Sequence, residues 1–142
     1  MERVLLTVAI VAVAVAVAVV LQRRRPDAPT QPAWTVPAQL DRRDFDRPEA
    51  DWLVAVFTSA TCDACADTVA KARALASPSV VVEEVELVEH GDLHRRYGID
   101  AVPLLLLADG EGVVRASFVG PPSATDLWAA VAEVRDGPGA PG

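Results

Sequence analysis

The stretch that decides the fold is Trp52-Leu53-Val54-Ala55-Val56-Phe57-Thr58, followed at once by Ser59-Ala60-Thr61-Cys62-Asp63-Ala64-Cys65. An unbroken apolar run of this length predicts a strand buried on both faces. Residues 62–76 hold few helix breakers before Pro78 and predict a helix. A Cys-x-x-Cys pair therefore sits where a buried strand gives way to a helix. A sulfur at a helix N-terminus meets free backbone N–H groups and the positive end of the dipole. Both favour thiolate, the nucleophilic form. On this reading Cys62 is the exposed attacking residue. Cys65, about one helical turn further on, points inward and resolves the mixed disulfide.

Two carboxylates oppose that activation. Asp63 lies between the cysteines and Asp67 follows in the first turns, and no Lys, Arg or His falls within the motif. Like charges disfavour the Cys62 thiolate, so the sequence predicts a moderately activated thiol, closer to a reductase than to a strong oxidant. Cys62 and Cys65 are the only cysteines, which excludes a disulfide-rich scaffold. A bridge three positions long would also do little as a structural staple, because stabilisation grows with the loop it closes. His90 and His94 offer a metal spacing, but 24 residues separate Cys65 from His90, about twice what finger-type sites use. They read instead as solvated residues of a short surface helix, and no metal and no cofactor is expected.

Working outward, Asp41–Asp46 suits a short helix with Phe45 as a core contact. Val80–Val88 sets Val82, Val85 and Leu87 against Glu83, Glu84 and Glu86, an imperfect alternation that suits a strand. Asp92–Tyr97 reads as a short helix ended by Gly98. Val102–Ala108 reads as an apolar strand, Asp109–Gly112 as a hairpin turn and Val113–Val119 as the partner strand. Ser123 and Asp126 form a capping pair for a last helix running to Arg135. The order βαβαββα predicts an α/β domain, a mixed central sheet flanked by helices.

Tyr97-Gly98-Ile99-Asp100-Ala101-Val102-Pro103, the apolar residues Leu104 to Leu107, the Asp109-Gly110 turn, Val113-Val114 and Phe118-Val119-Gly120 occur in a familiar order downstream of the Cys pair. With Thr58-Ser59-Ala60-Thr61-Cys62 before them, they resemble the thioredoxin-like superfamily over roughly residues 36–136, in the form of a membrane-anchored thioredoxin-domain protein of bacterial type. The resemblance implies that Pro103 is cis and lies beside the Cys pair. It also implies that Val102 offers backbone hydrogen bonds to an extended substrate, with Thr61 and Pro103 helping to bind it. The chain departs from the family pattern at five positions. Thr61 stands where the family has Trp, Asp63-Ala64 replaces Gly-Pro, Val56 replaces a buried Asp, and Ala70 replaces a helix-kinking Pro.

The ends of the chain differ in composition from the middle. Val4 to Leu21 is an 18-residue run with Thr7 as its only polar member. A helix of that length spans roughly 27 Å, close to the bilayer core of about 30 Å. The expected layout is a transmembrane helix at 4–21, a basic flank and Pro-rich linker at 22–37, a thioredoxin-like domain at 38–136 and a disordered tail at 137–142. Arg23, Arg24 and Arg25 follow the run, where a cleavage site would need small uncharged residues. The same arginines predict a single-pass protein of the cell membrane with its soluble domain in the cytoplasm, the extracytoplasmic orientation being the alternative. Trp34, inside the linker, reads as a residue packing onto the domain or as an interfacial anchor. Residues 1–25 carry +3 of the formal net charge of −7 and the rest carries −10, which speaks against binding nucleic acid.

Three functions fit these residues. The leading one is a membrane-tethered thiol–disulfide oxidoreductase that exchanges with a protein thiol or disulfide and draws electrons from a redox partner. The others are a non-catalytic binding or assembly module on the same fold, and a carrier of a soft metal on the Cys pair.

Overall fold

The computed structural model describes Met1, Thr7, residues 11–15 and residues 34–136. The expected transmembrane helix lies largely outside these residues, as do linker residues 22–33 and the tail 137–142. Thr7 and residues 11–15 are helical, and among the described residues no helix is long and apolar enough to cross a membrane.

From Trp34 onward the chain forms a compact unit of its own. A short 3-10 turn, Arg42–Asp44, precedes strand β1 (Trp52–Thr58) and helix α1 (Cys65–Arg73). Strand β2 (Val80–Glu86) and helix α2 (Gly91–Arg96) follow. Strands β3 (Leu104–Asp109) and β4 (Val114–Val119) form a hairpin, and helix α3 (Ala124–Asp136) ends the unit. The sheet order is β2-β1-β3-β4. β1 runs parallel to β2 and antiparallel to β3, so the sheet is mixed, as the element order predicts.

Interior position explains the composition of β1 and β3. All of their residues are buried, because alternate side chains enter two separate cores. Leu53, Ala55 and Phe57 join Val85, Leu93 and Leu106 on one face. Val54 and Val56 join Val69, Leu105, Leu107 and Leu127 on the other. The edge strands are mixed in character: β4 alternates half-buried with exposed residues, and β2 carries three glutamates. Charge on an edge strand also discourages pairing with another chain.

The termini of several elements move from their predicted places for identifiable reasons. β2 ends at Glu86 because the Glu86 carboxylate accepts the N–H groups of Val88 (2.6 Å) and Glu89 (3.2 Å), which bends the chain away. β3 begins at Leu104, after a cis Val102–Pro103 peptide bond. The capping pair holds: the Ser123 hydroxyl accepts the Asp126 N–H at 3.0 Å and donates to the Asp126 carboxylate at 2.7 Å. Phe45 is buried as expected.

The histidine reading is corrected. His94 is only 4% exposed. Its Nε2 donates to the Val85 carbonyl at 2.8 Å, and its ring meets Phe57 edge-on with centroids 5.2 Å apart. The ring is a core residue whose polar atom has a backbone partner, and α2 is therefore docked rather than solvated on all sides. His90 is half-buried at the N-cap of α2.

Phe57 joins β1, α2 and Tyr97 in one contact set. Phe57→Ala should lower stability by about 3–5 kcal/mol through lost burial and the cavity left behind. Val88→Ala, on an exposed turn, should change it by no more than about 0.5 kcal/mol. Urea unfolding of both variants checks the contrast.

Candidate active site

The sheet register fixes where the site forms. Phe57 lies opposite Leu104 in the antiparallel pair. The chain therefore leaves β1 toward Cys62 at the end of the sheet where Pro103 leads into β3. Two motifs that are 41 positions apart in the sequence, Cys62 and Pro103, thus share one end of the domain.

The segment between β1 and α1 is a series of tight turns rather than a helix, which corrects the predicted start at Cys62. Cys62 N–H donates to the Ser59 carbonyl (3.1 Å) and Cys65 N–H to the Cys62 carbonyl (3.3 Å). The first helical residue is Cys65 itself, and its N-cap, Ala64, supplies no side-chain cap. The free N–H groups and positive dipole end of α1 are thus left beside the Cys pair. Cys62 is half-buried and Cys65 is 4% exposed. Cys62 is thus the more accessible residue of the pair. The two are joined in a disulfide, with Cα atoms 5.5 Å apart. That separation is ordinary for a bridged pair.

The remaining candidates fall as follows. Thr61 is exposed immediately before Cys62, with its hydroxyl 3.4 Å from that of Ser59. Val102 is half-buried and packs against the core. Pro103 is buried, its peptide bond is cis, and its carbonyl accepts the Gly120 N–H at 2.8 Å. Gly120 takes φ of +87°, a conformation open to glycine at no steric penalty. Among the described residues no group of three His, Cys, Asp or Glu side chains could hold a metal ion.

Three residues of the site escape sequence reasoning. Lys71 pairs with Asp67 at 2.6 Å and also donates to the Pro122 carbonyl at 3.1 Å. The Asp67 charge is therefore largely answered, whereas exposed Asp63 has no such partner among the described residues. The i,i+4 spacing of Asp67 and Lys71 is a legible signal for that pair. Thr58, buried in β1, donates its hydroxyl to the Glu84 carboxylate at 3.1 Å. Glu86 is the third: its carboxylate accepts the Ala60 N–H at 3.0 Å and so ties the turn carrying Cys62 to the end of β2. Burial opposes ionisation of Glu86, but the N–H groups of Val88, Glu89 and Ala60 outweigh it and hold the carboxyl below its ordinary value.

Solved structures share this architecture. The germline-specific thioredoxin Deadhead of Drosophila melanogaster superposes with a TM-score of 0.55 at 18% identity, covering 70% of this chain and 98% of that one. The thioredoxin of Fasciola hepatica gives 0.54 at 20% identity, covering 64% and 88%. Mitochondrial thioredoxin 3 of Saccharomyces cerevisiae, in its oxidised form, gives 0.51 at 22% identity, covering 61% and 81%. The fold is thioredoxin-like. No protein-family model matches the sequence, and no curated protein does. In this thioredoxin-like domain Cys65 opens the helix after the first strand and Cys62 lies in the turn just before it.

Glu86 supplies a pH test. Its folded carboxyl lies below the ordinary value of 4.5, so on acidification the unfolded chain takes up this proton first. The stability contributed by the group is complete above the ordinary value and is lost as pH falls through the lowered folded value. Glu86→Gln should be less stable than the parent at about pH 7, and the gap should narrow toward about pH 3. Chemical unfolding across that range measures it.

Proposed function

We propose that this protein is a thiol–disulfide oxidoreductase, reductase-like in direction and tethered to a membrane by residues 4–21. The observation that carries the catalytic part is the unequal burial of Cys62 and Cys65 at the uncapped start of α1, in a thioredoxin-like fold. The reduced protein starts the cycle. The Cys62 thiolate attacks one sulfur of a substrate disulfide, that S–S bond breaks, and one substrate thiolate leaves. Cys65, as thiolate, then attacks Cys62 Sγ. The Cys62–Cys65 disulfide forms and the second substrate thiolate leaves. Two electrons have passed from the protein dithiol to the substrate. A dithiol partner returns them by the reverse exchange.

Each neighbouring residue has a role in this scheme. Cys65 enters as the first residue of α1, where the helix dipole favours its thiolate. Val102 and Pro103, with Thr61, hold the substrate backbone beside Cys62, and Glu86 holds the turn that presents the sulfur. The unanswered charge of Asp63 keeps the Cys62 thiolate from being strongly stabilised, and that favours a reductase over an oxidant. The apolar run 4–21 supports the tether, and Arg23, Arg24 and Arg25 support a cytoplasmic domain.

A redox titration of the full chain in detergent, read by alkylation, should give one reversible two-electron transition below about −200 mV. Cys65→Ser should trap a mixed disulfide with substrate, and Cys62→Ser should abolish exchange. A pair that will not close its disulfide in oxidising buffer would overturn the enzyme reading and leave a binding module. An impermeant thiol reagent on intact cells reads the orientation: protection of Cys62 means a cytoplasmic domain.

A further inference from the structure

The loops that meet at the sulfur end of the sheet carry one sign of charge. They are residues 59–64, 87–90, 97–103 and 120–123, and their charged side chains are Asp63, Glu89 and Asp100, with no Lys or Arg. Asp63 and Asp100 are exposed and have no hydrogen bond or ion pair among the described residues. Three cations approach from the helices, of which Arg96, over the Tyr97 ring, is paired with Asp41 and Asp44. Lys71 is engaged by Asp67 and by the Pro122 carbonyl. Arg95 folds its guanidinium back toward Gly91, where Glu89 and Asp92 flank it in sequence.

The same end exposes apolar surface. Trp34 and Val119, each 43% exposed, line a small recess together with Asp100, Ala101 and Leu104. Val119 pairs with Leu104 at the mouth of the hairpin, next to the Gly120–Pro103 hydrogen bond. The recess therefore adjoins the segment that holds substrate in the proposed scheme. Where that scheme's resemblance leads to a Trp before the first cysteine, the chain has Thr61, and Trp34 brings an indole to this end of the domain from the N-terminal side.

We propose that this rim docks a basic, disulfide-bearing polypeptide segment. One of its apolar residues rests against Trp34 and Val119, and its Lys or Arg side chains face Asp63 and Asp100. The inference rests on the oxidoreductase reading and names its substrate class. The acids are not the site; they bias what the sulfur pair and the apolar rim accept. An acidic segment is repelled on approach, and an anionic lipid surface is repelled by the same charges. A substrate cation beside Asp63 also cancels part of the field that disfavours the Cys62 thiolate, so docking the right charge activates the attacking sulfur. The chemical step is the exchange described above, in which the substrate S–S bond breaks, the Cys62–Cys65 bond forms and two electrons pass to the substrate.

The test uses the reduced full chain in detergent and three cystine-bridged peptides that differ only in flanking residues: Arg, Gln or Glu. Bis(2-hydroxyethyl) disulfide serves as a small uncharged probe. At low salt the Arg peptide should react about tenfold or more faster than the Glu peptide, with Gln between, as electrostatic steering allows. The ratio should approach unity in about 1 M salt, where screening acts within about 3 Å. Asp100→Lys should reduce the ratio, a comparison internal to one variant and so insensitive to a general loss of folded protein. Trp34→Ala should raise KM for the Arg peptide. If the small probe and all three peptides stay unreduced, the oxidoreductase reading falls and this inference with it. If the small probe reacts but the peptides react equally at low salt, or Asp100→Lys leaves the ratio unchanged, only the charge preference is overturned. An unchanged KM in Trp34→Ala removes the apolar contact.

Discussion

The antiparallel pairing of β1 with β3 is the constraint on which the rest depends, and its apolar pattern alone does not fix it. Both strands are buried on both faces, so a slip by one residue would exchange one apolar face for another. Size and polarity at the ends do the selecting. Leu53 lies opposite Ala108 and Ala55 opposite Leu106, a small-against-large arrangement that a slip would disturb. At the far end the Asp109 carboxylate accepts the N–H groups of Glu111 and Val113 and pairs with Arg115 at 2.6 Å. Burial raises the free energy of that carboxylate, yet Arg115 and the two N–H donors more than offset it and hold its pKa down. Arg42 adds a second lock, with its buried guanidinium donating to the carbonyls of Ala50 (2.9 Å) and Asp109 (3.0 Å). With the far end pinned, Phe57 must face Leu104, and the Cys pair and Pro103 are delivered to the same end.

The glutamates of β2 show how an edge strand can organise a site while keeping its charge. Glu83 and Glu86 differ in direction of pKa shift though they are three residues apart. For Glu83 burial dominates: one N–H donor, from Asp46, does not offset it, and the Asp46 charge adds to the upward push. For Glu86 burial is again the largest single effect, but three N–H donors together reverse it. Glu83 is also the more deeply buried of the two, so its single donor faces a larger desolvation cost. The third donor, Ala60, belongs to the turn that carries Cys62.

The sequence disclosed those parts of the fold whose signals are local. β1 is seen with its true limits, since six apolar residues and Thr58 between Asp51 and Ser59 admit little else. The hairpin, the last helix and the order of elements follow from turn and cap residues. The start of α1 was not legible: residues 62–64 are acceptable helix formers, but the chain closes local i,i+3 turns on the Ser59 and Cys62 carbonyls instead. Arg42 and Arg43 look alike in sequence, yet one is buried on backbone carbonyls and the other is exposed beside Asp41. His94 looked like its neighbours Arg95 and Arg96, but the helix turns its ring alone toward Phe57. For Arg42 and His94 the missing information is which face of a short element meets the core, and six or fewer residues give too little periodicity to read that.

The two acids of the redox motif illustrate the same point with chemical consequences. Read along the chain, Asp63 and Asp67 are equal opponents of a thiolate at Cys62. In the fold they are unequal, because Lys71 lies one helical turn beyond Asp67 and reaches it, while Asp63 sits in a turn where no i+4 partner exists. The field at Cys62 is therefore a contest between the uncapped end of α1 and a single carboxylate. Neither is large at an exposed position, the helix end giving about 0.3–1 kcal/mol. The helix end and the Asp63 charge act on Cys62 in opposite directions. The loops around Cys62 contain no Lys or Arg that would add to the pull of the helix end.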